Sequence, residues 1–440
     1  MFQPSFLALS RIFIILVGMI KAGYSLMIFQ HWYIETNHFY QYLATFFAGS
    51  TLTLSFYKGV SRNYILLFAE FLYILMMIII PFSSNDFRIY GFLLSGGFCF
   101  LLYPIYANEN LLKSNQRNCT VVTWIFMGLG AIYYFWLTYH YQPQYTFKTT
   151  IDSILNPLLI TDDITPYIFG SFSVLNVLLI LLQKGKETIF FYRLKQDSEK
   201  IVELSGYLYN NTYIRKIEQE FNIQDIESAN SLLTSQSYNE NELNKKEKQK
   251  LLVLMFTIAF LIGSEYPLNG LISSVFYFFL IIQDQNDYFN LKVNFGYCFS
   301  YQFIILAAVF LGTYLIHKKR KVVLFINLII ALIVRFVFLG YSYKNELTDF
   351  DFTVLNWFSI INLVFCYGGL GTMIFTQPFL VLKVHEILLY FMFFWMGNVA
   401  YYVFAKNSYY DDDSLRYSSQ ILPIITTFMV IVPLAYLKHF

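Results

Sequence analysis

Long apolar segments separated by short polar ones recur along the whole chain. A helix needs about 20 predominantly apolar residues to cross a hydrocarbon core of roughly 30 Å, and most of these segments reach that length. The pattern predicts twelve membrane spans, at residues 6–29, 39–57, 63–83, 89–108, 119–140, 165–183, 251–283, 289–316, 322–343, 353–382, 385–405 and 418–437. The predicted fold class is therefore an all-α polytopic membrane protein.

One sizeable polar stretch, residues 184–250, interrupts this pattern after the sixth span. It predicts an N-terminal six-helix half at 1–183, an inside linker with short amphipathic helices at 184–250, and a C-terminal six-helix half at 251–440. Glycine and proline interrupt the seventh span at IGSEYPLNG and the tenth at CYGGLGTM. In the seventh span we expect unwound backbone, which is tolerated at membrane depth where it lines a cavity or is buried in protein. The glycines of the tenth span fit the same interpretation, and close helix packing is the alternative.

Composition excludes a soluble protein. Hydrophobic residues make up 57% of the chain and charged residues 13%, with a mean hydropathy of +0.50, whereas soluble domains carry about 25% charged residues. The net charge of +2 gives no indication of a nucleic-acid partner. The sequence contains no phosphate-binding loop, no catalytic triad pattern and no Cys/His spacing typical of a metal site. We therefore expect no enzyme activity, no cofactor and no metal, and a lipid bilayer and a small-molecule substrate as partners.

The distribution of Lys and Arg orients the spans. With both termini inside, the predicted inside loops hold twenty basic residues and the outside loops six. Basic residues accumulate in cytoplasmic loops, so this partition favours that orientation. The run Lys318, Lys319, Arg320 and Lys321 then forms a short inside loop between spans eight and nine. The sequence does not indicate whether the membrane is the plasma membrane or an organellar one.

Twelve spans with both termini inside and a basic central linker resemble the major facilitator superfamily. Its loop between spans two and three carries a Gly-x-x-x-Asp-Arg-x-Gly-Arg-Arg-like motif, echoed between spans eight and nine. The corresponding loops here read SFYKGVSRNYILL and LGTYLIHKKRKVVL. They keep basic residues and lack the Asp. The resemblance implies a gating and topological role for Lys58, Arg62, Lys318, Lys319, Arg320 and Lys321.

Within that superfamily, shorter stretches are similar to the large neutral amino-acid facilitators (solute carrier 43-like). The matching positions are Gly96, Gly97, Asn110, Leu111, Arg117 and Gly128, together with Ser25-Leu26 in span one and Gly368-Gly369-Leu370 in span ten. This resemblance implies that the transported solute is an amino acid or a similar small organic molecule.

Four ionisable residues fall inside predicted spans: Lys21, Glu70, Glu265 and Arg335. Each needs an explanation, since a charge at the centre of a bilayer costs about 2.5–3.5 kcal/mol on insertion scales. Lys21 and Glu265 lie at similar depth in spans one and seven, which line the central cavity in the resembled fold. One hypothesis is that Lys21 faces a substrate carboxylate and Glu265 a substrate ammonium. A salt bridge that closes the cavity and a snorkelling Lys21 are the alternatives. For Arg335 we expect a buried polar partner from a neighbouring helix.

The candidate substrate-binding residues are Lys21, Tyr24, Ser25, Glu265, Tyr266, Asn269, Gly368 and Gly369. The predicted function is secondary transport of a small organic solute by alternating access. No proton relay is evident in the sequence, which favours facilitated diffusion over coupled transport. The alternative function is a non-transporting membrane subunit of a larger assembly, such as a respiratory complex.

Overall fold

The computed structural model describes residues 6–32, 39–56, 60–79, 82, 85–110, 122–123, 125–134, 136, 164–208, 245–263, 291–342, 348–365, 378, 384–408, 421, 424–425 and 427–432. The regular structure within these ranges is helical. The chain divides into two compact units: Met1–Tyr134 with Thr149–Glu240 and Phe379–Val384, and Phe135–Lys148 with Asn241–Pro378 and His385–Phe440. We call them unit 1 and unit 2. The domain boundaries at 183 and 250 remain a prediction.

Unit 1 contains the helices α1 (Phe6–Trp32), α2 (Phe39–Phe56), α3 (Arg62–Ile79), α4 (Asn85–Glu109), α5 (Ile125–Tyr134), α6 (Ile164–Leu182), α7 (Ile189–Leu194) and α8 (Ser198–Leu208). Four of these, namely α1, α3, α4 and α6, are long and apolar enough to cross a membrane. Helix α4 is the most buried of the four and packs against α1, α2 and α3, while α6 packs against α3 and α1. The core of unit 1 is therefore built around α4.

Buried residues recur every three or four positions on α3 and α6, and several of them are polar. On α3 the buried face includes Arg62, Glu70 and Tyr73, and on α6 it includes Ser173 and Asn176. The opposite faces expose apolar side chains such as Phe71 and Leu178. This arrangement suits a helix whose outer face meets lipid and whose inner face carries the polar groups.

Two short helices, α7 and α8, follow α6 in the segment for which amphipathic helices were expected. Ile189, Ile201 and Leu204 pack with Leu7 at the start of α1. The Asp197 carboxylate caps α8 by accepting a hydrogen bond from the backbone N of Lys200 at 3.2 Å. A hydrogen bond from the Lys200 ammonium holds the pKa of Asp197 below its ordinary value. Apolar contacts thus hold this pair of surface helices against the membrane-crossing helices.

Unit 2 contains α9 (Lys245–Gly263), α10 (Leu291–Ser342), α11 (Asp349–Phe365) and α12 (Val384–Ser408). Helix α10 differs from the prediction, since the expected inside loop at Lys318–Lys321 is part of one 52-residue helix. At 1.5 Å per residue this helix is about 78 Å long. The reason lies in the local sequence: no Gly or Pro occurs between Gly312 and Gly340, and Lys and Arg are good helix formers. The run of charges at Lys318–Lys321 therefore does not interrupt the helix, because nothing in the local sequence turns the backbone.

Candidate functional site

A buried ion pair joins α1 to α3 in the middle of unit 1. The Lys21 ammonium lies 2.5 Å from Glu70 Oε2, and both side chains are fully buried. The sequence placed both residues within apolar spans but gave no reason to pair them. The contact excludes a snorkelling Lys21, because its charged end points into the helix bundle and meets a carboxylate there.

Three further side chains complete the hydrogen bonding of this pair. Glu70 Oε1 accepts hydrogen bonds from the Tyr103 hydroxyl on α4 and from Asn176 Nδ2 on α6, the latter at 2.7 Å. The Lys21 ammonium donates to Ser173 Oγ on α6 at 2.5 Å. Four helices therefore converge on a single pair of charges. We call Lys21, Glu70, Tyr103, Ser173 and Asn176 the charge cluster.

Aromatic rings and a second hydroxyl border the charge cluster. The Lys21 ammonium lies 4.7 Å from the centre of the Tyr73 ring, within the range of a cation–π contact. The Tyr73 hydroxyl is 3.4 Å from Ser25 Oγ. Tyr24 packs into a group of aromatic rings that includes Phe169, at 5.1 Å between ring centres. Tyr24 and Ser25, both predicted to bind substrate, are thus buried beside the pair.

The charge cluster has no net charge when Lys21 is protonated and Glu70 is ionised. A buried pair of this kind is retained at a desolvation cost, and the loss of one partner strands the other charge in a low-dielectric site. Either charge therefore depends on its partner as long as the four helices stay packed in this way. The arrangement can also exchange partners, because every member offers a hydrogen-bonding group to its neighbours.

The structure places only part of the predicted substrate site. Lys21, Tyr24 and Ser25 lie together in unit 1. Glu265, Tyr266, Asn269, Gly368 and Gly369 lie outside the described residues, and the substrate role of all eight stays a prediction. Arg335 is buried in α10. Within the described ranges, no group of His, Cys, Asp and Glu is arranged to hold a metal ion.

A second buried ion pair lies at the predicted inside end of unit 1. Arg62, at the start of α3, forms a two-point contact with Glu109 at the end of α4: Nε to Oε2 is 3.0 Å and Nη2 to Oε1 is 2.9 Å. Thr188 Oγ1 donates to the same Glu109 carboxylate at 2.9 Å. Arg62 was predicted to act in gating and topology, and its partner Glu109 was not predicted.

Glu187 and Arg11 extend this contact to the start of α1. Glu187 Oε2 accepts the backbone N–H of Arg62 at 2.9 Å, and its other oxygen accepts the hydroxyl of Ser61. Arg11 donates to the backbone O of Glu187 at 2.9 Å and to the side chain of Asn110. We call Arg11, Arg62, Glu109 and Glu187 the end cluster. Lys58 lies outside the described residues, and the side chains of Lys318–Lys321 are not described.

Sequence reasoning missed Tyr103, Ser173 and Asn176, and it treated Glu70 as an isolated charge. One signal was available: Glu70 with Tyr73, and Ser173 with Asn176, are three residues apart and therefore share a helix face. The convergence of these faces on Lys21 depends on which helices pack together, and the sequence of one chain does not contain that information in readable form.

Comparison with models of protein families gives no match, and neither does comparison with curated protein sequences. Solved structures do match. The Escherichia coli proton:xylose symporter XylE, bound to 6-bromo-6-deoxy-D-glucose, is 13% identical with a TM-score of 0.66, over 98% of this chain and 94% of that one. The E. coli transporter FucP in the outward conformation is 13% identical with a TM-score of 0.54, over 98% and 100%. The human organic anion transporter MFSD10 is 12% identical with a TM-score of 0.53, over 98% and 99%.

The likeness extends along nearly the whole of this chain and of each neighbour. None of the three neighbours is described as an amino-acid facilitator, so that narrower resemblance stays a prediction. The helical architecture and the coverage agree with the superfamily that the sequence resembles. The chain has the fold of the major facilitator superfamily transporters.

Proposed function

We propose that this chain is a secondary transporter that moves a small organic solute across a membrane by alternating access. The observation that carries the proposal is the likeness of fold, over 98% of the chain, to solved transporters of the major facilitator superfamily. The charge cluster supports it, because ionisable residues inside a membrane are costly and mark the paths of substrates and ions.

The class of solute follows from two sources. The sequence resemblance favours an amino acid, for which Lys21 and Glu265 offer a cation and an anion. The structural neighbours are named for xylose, fucose and organic anions, which widens the range to monosaccharides and carboxylates. Because Lys21 is bound to Glu70 and Ser173, a solute carboxylate reaches it only by displacing Glu70.

The end cluster fits a gating role for Arg62. Its guanidinium ties α3 to α4, and Glu187 ties the start of α3 to the segment that leads into α7. We propose that these contacts keep the ends of α1, α3 and α4 together while the protein changes conformation. Lys58 and Lys318–Lys321 keep their proposed role in topology.

Uptake by lipid vesicles containing the purified chain tests the transport function. The probes are labelled L-leucine, D-xylose and succinate. We expect saturable uptake of at least one probe, and we expect Lys21→Gln and Glu265→Gln to abolish it. Glu203→Gln is the control, because Glu203 is exposed and lies outside both clusters. Absence of uptake of every probe, from protein that unfolds cooperatively, would contradict the proposal and favour the non-transporting subunit.

A further inference from the structure

The amide of Asn176 is only half used where it meets Glu70. Its Nδ2 donates to Glu70 Oε1, whereas its Oδ1 is buried and has no hydrogen-bond partner among the described residues. A buried acceptor without a donor costs about 1–3 kcal/mol, so native structures rarely keep one without a reason. The unused acceptor lies on the same amide that touches the carboxylate.

A second protonation state of Glu70 explains the unused atom. When Glu70 is ionised, Oε1 needs donors, and Asn176 Nδ2 supplies one. When Glu70 is protonated at Oε1, it becomes a donor and needs an acceptor. A half turn of the Asn176 amide supplies Oδ1 at the same place. The Tyr103 hydroxyl can likewise donate to Glu70 or accept from it. Both neighbours of Oε1 therefore serve either state.

Protonation of Glu70 affects the rest of unit 1 through Lys21, its partner in the ion pair. Once Glu70 is neutral, the ammonium keeps Ser173 Oγ and the Tyr73 ring but loses its only described carboxylate partner. A buried charge without a counter-ion is strongly unfavourable. The proton therefore favours any conformation in which water or another anion reaches Lys21, and this couples proton binding to conformational change.

The groups that face Glu70 come from every helix packed around it. Helix α1 contributes Lys21, the single described cation in contact with Glu70. Helix α3 contributes Tyr73 and helix α4 contributes Cys99 and Tyr103, all of which are uncharged at neutral pH when buried. Helix α6 contributes Ser173 and Asn176, which do not titrate. Among these described groups, Glu70 is therefore the carboxylate that can take up a proton and become neutral, whereas protonation of its uncharged neighbours would create a buried cation.

We propose that Glu70 is the proton-binding site of a proton-coupled transporter, with Asn176 and Tyr103 stabilising its neutral form. This inference rests on the proposed transport function. The carboxylate takes a proton from water on the side with the higher proton concentration and returns it to water on the other side. One proton crosses in each cycle, and no other bond changes. This proposal differs from the facilitated diffusion that the sequence favours, which stays a prediction.

Infrared difference spectroscopy tests the proton site without any solute. The purified chain in lipid vesicles is titrated with acid, and the C=O stretch of protonated carboxylic acids is followed. We expect a band in the wild-type chain that disappears in Glu70→Gln and shifts in frequency in Asn176→Leu, because the neutral acid loses its acceptor. Glu109→Gln is the matched control, since Glu109 is also buried and ion-paired, and it should keep the Glu70 band. A spectrum in which Glu70→Gln removes no band would overturn the proposal.

Transport separates a failure of coupling from a failure of the proposed function. An inward proton gradient should drive the transported probe above its equilibrium level in wild-type vesicles. In Glu70→Gln the ratio of uptake with and without the gradient should fall to one, while Glu203→Gln keeps the wild-type ratio. Wild-type uptake that ignores the gradient would overturn the coupling and leave the transporter. No uptake of any probe would overturn the transport function, and the infrared band would still decide whether Glu70 binds a proton.

Discussion

At the scale of single residues, the charge cluster shows why a lysine and a glutamate persist in apolar helices. Lys21 and Glu70 each lose hydrogen bonds to water on folding. The ion pair and hydrogen bonds to hydroxyl and amide groups replace them. Their separation of 49 positions in the sequence hid the pairing. A lone charge in a span indicated that a partner exists, and only the packing of α1 against α4 and α6, both of which also contact α3, identified it.

Substitution of both partners should cost less than the sum of the two single substitutions. We expect Lys21→Met and Glu70→Met each to lower the free energy of unfolding by about 3–5 kcal/mol, because each strands a buried charge. The double variant should lose less than the sum of the two, with a coupling energy of about 0.5–3 kcal/mol. Denaturant titration of the purified protein in detergent micelles measures all three.

The control for this cycle is the pair Lys186–Glu203, which is 3.4 Å apart, with Glu203 exposed and Lys186 partly exposed. Its coupling energy should be within about 0–1 kcal/mol, as for other surface ion pairs. A coupling energy of that size for Lys21 and Glu70 would contradict the role given to the buried pair.

At the scale of helices, α2 and α4 pack closely because glycines let their backbones approach each other. Gly97 on α4 faces the backbone O of Phe46, and Gly49 on α2 faces the backbone O of Leu94. Ser50 Oγ donates to the backbone O of Gly97 at 2.8 Å. Small residues and hydroxyls at a helix crossing are typical of membrane proteins. Gly97, noted in the sequence for a family resemblance, is thus explained by packing.

Gly97→Ala should destabilise unit 1. An added methyl group at this position overlaps the backbone of Phe46, so α2 must move away from α4. We expect a loss of about 1–3 kcal/mol, the range for overpacked sites. The midpoint of thermal unfolding in detergent measures the effect.

Gly340→Ala serves as the matched control for this glycine. It is also a glycine in an apolar helix, but nothing lies within 4 Å of the added methyl group. Its effect should be a gain of at most about 1 kcal/mol from helix propensity. Equal losses at Gly97 and Gly340 would contradict the packing argument.

Local pattern was sufficient for some helices and insufficient for others. The ends of α2, α4 and α6 lie within four residues of the predicted spans, because each run is bounded by polar residues or turns. Helix α10 was predicted as two spans with a loop at Lys318–Lys321. The charge of Lys318–Lys321 indicates a preference for the membrane surface. A turn also requires a backbone that leaves the helix, and these residues are helix formers.

At the scale of the whole molecule, the end cluster shows which helix ends of unit 1 lie on the same side. Arg11 and Arg62 lie near the starts of α1 and α3, Glu109 is the last residue of α4, and Glu187 follows the end of α6. Their contacts bring these four helix ends to one side, as expected for spans that alternate in direction. The balance of basic residues predicts that this side is the inside.

Cysteine labelling tests that orientation, which the fold alone leaves open. In a chain whose four cysteines are replaced by alanine, Glu199→Cys places a thiol on exposed α8 and Phe82→Cys places one at the predicted outer end of span three, where Phe82 is 90% exposed. We expect a membrane-impermeant maleimide to react with Glu199→Cys only after digitonin has permeabilised the plasma membrane. The reason is that the predicted inside loops hold twenty basic residues, which favours the cytosolic side for them. Phe82→Cys should react in intact cells if the protein lies in the plasma membrane. It should react only after full solubilisation if the protein lies in an organellar membrane. Reaction of both positions in the same step would contradict the alternation of spans, and an exchange of their behaviour would reverse the orientation while keeping the fold.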